Sequence, residues 1–120
     1  MELDISVIAQ ADLNGSETRR LALHEELCEL LGSRNVYFQP PGNQHEVMQY
    51  PCFRYSLSKI KQTFANNKMY NYNRAYTIMY ITTYPDTGMI DKVLKHFSMV
   101  VFDRTYVADQ LNHYVFSIYY

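Results

Sequence analysis

Leu23, Leu27, Leu30 and Leu31 follow one another at spacings of three and four, while Glu25, Glu26 and Glu29 fall mostly off that stripe. The period is that of an amphipathic helix lying on a core. Ser16 supplies an N-cap, Glu17 stands in the first turn where an acid meets the positive end of the helix dipole, and Gly32 supplies the stop. Residues 1–15 have weak periodicity and close on the turn signal Asp12-Leu13-Asn14-Gly15, which sets them apart as an amino-terminal arm.

Downstream the period changes to two. Asn35-Val36-Tyr37-Phe38-Gln39 reads as a short strand, stopped by Pro40-Pro41-Gly42-Asn43 because proline cannot donate to a ladder. Pro51 opens a second strand, Cys52 to Leu57, with Phe53, Tyr55 and Leu57 on one face and Cys52, Arg54 and Ser56 on the other. The longest such run, Arg74 to Thr83, carries apolar groups on both faces, so it is expected in the middle of a sheet. Between these two strands, Ser58 to Asn73 mixes polar and aromatic residues without a sustained period. It reads as a long excursion or hairpin arm, of a length that in a small domain is usually functional.

Tyr84-Pro85-Asp86-Thr87-Gly88 is a turn, after which Ile90, Val93, Leu94 and Phe97 share one face of a second helix over Met89 to Phe97. Met99 to Phe102 is a strand, and Phe102 to Gln110 a charged connector whose Asp103, Arg104 and Asp109 are placed to knit a corner. Leu111 to Tyr120 is the last strand, and its aromatic and β-branched residues must be paired and packed, which puts it inside the sheet. The order α-β-β-β-α-β-β predicts an α+β fold: one mixed or antiparallel sheet of about five strands with two helices packed on it, in a single domain over residues 16–120.

Charge alters this picture only when it is divided along the chain. The net charge of −1 separates into −5 over residues 1–46, +5 over residues 47–85, which hold no acid, and −1 over the remainder. Such segregation predicts one acidic and one basic surface, suited to head-to-tail contact between copies or to an acidic partner. No apolar run approaches the roughly 20 residues that cross a bilayer, and the start is acidic where a signal peptide is basic, so a soluble, unsecreted chain is expected. Cys28 and Cys52 lack any paired-cysteine spacing and read as reduced, buried thiols.

Candidate chemistry is sparse. His24 and Cys28 are the one local pair at metal-ligand spacing, and His45, His96 and His113 add no second pair, so no metal site is expected. Phosphate-binding and hydrolase signatures are absent among four glycines, so no catalytic residues and no cofactor are expected. Asp103 and Asp109 have Arg104 and Asn112 close by, which points to turn-stabilising salt bridges and hydrogen bonds. A nucleic-acid-binding module is the sharper alternative, since Lys59, Lys61, Lys68 and Arg74 interleave with Phe64, Tyr70, Tyr72 and Tyr76 across segment 54–76. Cations neutralise phosphates and aromatic faces stack on bases.

Tyr50-Pro51-Cys52-Phe53-Arg54-Tyr55, Phe64-Ala65-Asn66-Asn67, Tyr76-Thr77-Ile78 and Phe102-Asp103-Arg104-Thr105-Tyr106-Val107-Ala108-Asp109-Gln110-Leu111-Asn112-His113, followed by the aromatic last strand, occur in that order. Over roughly residues 16–120 this resembles the tail terminator, or tail completion, proteins of the bacteriophage neck. The resemblance implies a structural virion protein at the tail-head junction, assembled in the host cytoplasm. Six copies would form a ring that caps the tail tube protein and meets the head-tail connector or stopper protein. It implies no enzyme activity, no cofactor and no membrane, with DNA passing through the ring without specific binding. A connector or stopper neck protein is the alternative of the same kind. The contacts to the tube or a neighbouring subunit are expected from Lys59, Lys61, Phe64, Asn66, Asn67, Lys68, Tyr70, Tyr72 and Arg74, and a structural corner from Asp103, Arg104, Tyr106, Asp109, Asn112 and His113.

Overall fold

The computed structural model describes residues 16–39, 48–65 and 68–120, with the backbone alone at residues 16, 63–64 and 68–72. The expected amino-terminal arm and Asn66-Asn67 lie outside the described residues. Helix α1 (Ser16–Leu31) is followed by strands β1 (Val36–Phe38), β2 (Cys52–Ala65) and β3 (Lys68–Thr82), helix α2 (Gly88–His96), and strands β4 (Val100–Ala108) and β5 (Leu111–Tyr119). The expected element order is the observed one. The five strands form one sheet in the order β1-β2-β3-β5-β4, parallel between β1 and β2 and antiparallel elsewhere, hence mixed. No helix among the described residues is long and apolar enough to cross a membrane.

Both helices pack on one face of this sheet. Phe53 and Tyr55 of β2, Tyr76, Ile78 and Tyr80 of β3 and Tyr114, Phe116 and Ile118 of β5 form one buried cluster with Leu23, Leu27 and Cys28 of α1 and Met89 and Val93 of α2. The cluster follows from register: Phe53 lies opposite Tyr80, Tyr55 opposite Ile78, and Ile78 opposite Phe116, so the apolar positions of three strands line up across the sheet. β3 and β5 are interior, and Ala75, Ile81 and Val115 on their other face are buried as well. Helix α1 ends as its sequence specifies, with Gly32 at a φ of 81° and its amide donating to Cys28 O at 2.9 Å.

One segment settles between two readings and another differs from expectation. Between Ser58 and Asn73 the chain is the hairpin arm of the two readings, with β2 running to Ala65, β3 beginning at Lys68, and the two paired out to Ala65 opposite Lys68. Its polar residues gave no period because neither face of a projecting two-stranded ribbon has a core to select apolar side chains. Residues 102–108, expected as a connector, are most of β4, and the turn is Asp109-Gln110 alone. A β-bulge between Phe102 and Arg104 breaks the alternation there, leaving Asp103 as the extra residue.

Asp109 and Gln110 have φ of 53° and 63°, as a two-residue hairpin turn of type I′ requires. A side chain as large as glutamine is disfavoured in that region, whereas glycine adopts it freely. Gln110→Gly is therefore expected to stabilise the fold by about 0.5–1 kcal/mol, after its own entropy in the unfolded chain is counted. The gain is read as a higher urea midpoint at unchanged slope; a lower midpoint would contradict the turn.

Candidate functional site

The paired arm begins where its flanking strands stop. β1 accompanies β2 only as far as Phe38 opposite Tyr55, and β5 accompanies β3 only from Ala75 opposite Tyr119. Beyond that line β2 and β3 run on as a ribbon, seven residues from Lys59 to Ala65 on the β2 side, roughly 20 Å at the rise of a strand. A bulge between Leu57 and Lys59 marks its base, where Ser58 Oγ donates to Ala75 O at 2.9 Å. That bulge sets the chemistry of the arm. Without it Lys59 and Lys61 would follow Phe53, Tyr55 and Leu57 onto the helix side; with it they stand opposite Ala75 and Asn73, on the outer face with Arg54.

Lys59 and Lys61 are exposed, and Lys59 Nζ lies 5.9 Å from the centroid of the Tyr119 ring. Ile60, on the helix side but beyond both helices, is exposed too. Arg74 is half-buried at the base; its carbonyl accepts the Tyr120 amide at 3.1 Å, and its Nε is buried without a hydrogen-bond partner. Phe64, Lys68, Tyr70 and Tyr72 belong to the arm by backbone, their side chains lying outside the described part, as do Asn66 and Asn67 altogether. Tyr76, counted in the basic-aromatic segment, is a buried core residue and unavailable for stacking on bases. A cleft of about 430 Å³ opens beneath the arm between Arg19 and Ala22 of α1, Asn73, Ser98, Met99 and the end of β5.

The six corner residues are not knit by salt bridges among themselves. Asp103 accepts the Ser117 hydroxyl at 2.5 Å, and the Arg104 guanidinium lies 5.7 Å from the Tyr106 centroid. The Tyr106 ring stacks on His113 at 4.6 Å, within 7° of parallel, and its hydroxyl reaches Met79 Sδ at 3.5 Å. His113 Nδ1 donates to Leu111 O, Asn112 donates to Thr82 O, and Asp109 occupies the turn. The charges expected to close a corner are spread along the outer strand because the bulge places Asp103 and Arg104 in mid-strand. The ion pairs among the described residues are Glu17 with Arg20, Glu25 with Arg34 and Glu26 with His96.

Those pairs also change the charge map. Of the −5 over residues 1–46, the described helix and its flank keep only −1, since they hold Glu17, Glu25, Glu26 and Glu29 with Arg19, Arg20 and Arg34; Glu2, Asp4, Asp12 and Glu46 lie outside the described residues. Helix α1 is thus close to neutral and carries no acidic surface, whereas Arg54, Lys59 and Lys61 make a basic row on β2.

His24 and Cys28 serve the core. His24 Nδ1 is 2.8 Å from Tyr55 Oη, which also accepts from Arg20 at 3.1 Å, and Cys28 is buried in the cluster. Both cysteines are free and buried; burial raises the Cys28 thiol and pushes Cys52 up to about 12. No group of three or more metal-ligating side chains occurs among the described residues. Sequence reasoning missed two ties: Tyr55 to Arg20 and His24, and Glu26, which accepts from the Tyr120 hydroxyl and meets His96 Nε2 at 2.8 Å. Both span many residues and leave no local spacing to read. It also missed the second half of the outer strand, residues 103–108, where the bulge hides the alternation. No family model and no curated protein matches the chain.

Proposed function

We propose that the chain is a ring-forming structural subunit, and that the ring is a tail terminator of a bacteriophage neck. The arm carries this reading. A two-stranded ribbon is marginal in water without a surface to pack on, so a basic arm that projects from a folded domain calls for a partner. An arm at one place that docks at a different place on the next copy is a heterologous contact, which closes into a ring when the rotation permits. The family resemblance supplies the ring of six, the tail tube and the connector as partners, with a connector or stopper protein as the near alternative.

Native mass spectrometry tests it. Rings of several copies are expected, alone or on purified tail tubes, and Lys59→Glu with Lys61→Glu is expected to abolish them while leaving circular dichroism unchanged. A chain that never exceeds a dimer, with or without tubes, overturns the ring; charge-reversed chains that assemble normally overturn the role of the arm. The row of Arg54, Lys59 and Lys61 on one face also favours a second reading, sequence-independent binding of nucleic acid. It requires retention on DNA at low salt, weakened by Lys59→Ala, Lys61→Ala and Lys68→Ala together, and falls if no retention occurs.

A further inference from the structure

Four large hydrophobic side chains crowd onto or beside β4: Met99, Val101, Tyr106 and Val107, exposed by 59%, 62%, 36% and 69%. β4 is the outermost strand, and no described strand pairs with its far edge. An unpaired edge with apolar side chains is a template for another strand. The order of residues along it specifies which strand.

About a two-fold axis between Asp103 and Arg104, an antiparallel copy of β4 sets Asp103 against Arg104 of the second copy, and Arg104 against Asp103. In the same register Phe102 meets Thr105, Val101 meets Tyr106 and Val100 meets Val107. An unbroken strand cannot pair with itself in this way. Side chains and backbone groups both alternate with period two, so an odd position never faces an even one. The bulge removes that bar. Val100 and Phe102, opposite Ile118 and Phe116, lie on the helix side; past the bulge Thr105 and Val107, opposite Tyr114 and Asn112, lie on the helix side too. Val101, Arg104 and Tyr106, opposite Ser117, Val115 and His113, lie on the outer side, as does Asp103 through its bond to Ser117. Each of the four kinds of pair then joins like face to like face. A register one step longer or shorter brings a helix-side residue against an outer one at the bulge, so this register alone uses the whole strand. Opposite charges meet at its centre and apolar side chains at both ends.

We infer that β4 pairs antiparallel with β4 of a second copy, making one continuous sheet from two. The contact is isologous and closes at two copies; it uses no residue of the arm, so it stands or falls apart from the ring. A double variant, Val101→Cys with Tyr106→Cys, tests the register in the full chain, since the native thiols are buried. Mild oxidation is expected to give a covalent dimer, and either single variant none. Arg104→Asp is expected to weaken self-association about tenfold by placing like charges opposite each other, and Asp103→Arg with Arg104→Asp to recover it. A wild-type chain without the β4 contact, seen as no cross-link in the double variant, overturns the inference, as does an Arg104→Asp chain that associates as tightly as the wild type. A chain held to dimers that cross-link supports it while ending the ring reading.

Discussion

Truncation of Phe116 to alanine is expected to lower the free energy of unfolding by about 3–5 kcal/mol. Phe116 is fully buried at the middle of β5, opposite Ile78 on one side and Phe102 on the other, its ring 5.4 Å from that of Phe102 at 61°. It belongs to the one cluster shared by both helices and four strands, so the missing ring leaves a void that no single element can close by shifting. Domains have only about 5–15 kcal/mol in total, so the variant should be largely unfolded well below the wild-type midpoint in urea. Phe116→Leu, which keeps most of the volume, is expected to cost less than half as much. A loss of under about 1 kcal/mol in Phe116→Ala would mean that β5 is not at the centre of the core.

The centrality of β5 was legible in its composition, and that of β3 in the apolar groups on its two faces. The helices were legible for a similar reason: the leucines of α1 and Ile90, Val93 and Phe97 of α2 repeat with the period of the surface they cover. Signals of this kind come from burial, and they fail where burial is one-sided or absent. Lys59 to Gln62 and Asn73 of the β2–β3 ribbon are exposed, so these positions were free to be lysine, glutamine and asparagine, and the strand left no pattern there. In β4 the outer edge and the bulge act together: the exposed residues escape selection, and the one-residue slip at Asp103 resets the alternation, so the strand is legible only to Phe102 and its second half reads as a charged connector. The cations of the candidate interface were found by composition, but the face they occupy depends on the Leu57/Lys59 bulge, which no local propensity announced.

Tyr55→Phe is the second large loss expected, about 2 kcal/mol for one oxygen atom. Burial holds the Tyr55 phenol up at about 12, so it stays protonated and has one hydrogen to give. Arg20 donates to its oxygen, leaving that hydrogen for His24 Nδ1, and Arg20 in turn bonds Glu17 and lies 4.3 Å from the centroid of Phe38. Removing the hydroxyl strands a guanidinium N–H and an imidazole nitrogen in a half-buried place. The same geometry predicts a pH dependence. Burial, helped by the neighbouring Arg20 cation, lowers the His24 pKa from its ordinary 6.5. The folded chain then binds fewer protons than the unfolded one, so stability is complete above pH 6.5 and falls as the pH drops below it, until the depressed folded value is passed. His24→Gln keeps an acceptor for the Tyr55 hydroxyl and has no proton to take up, so its unfolding free energy should change less over that interval than the wild type's. Urea titrations at a series of pH values measure both slopes. Equal slopes would show that His24 titrates in the folded chain as it does in the unfolded one, and that burial does not depress it.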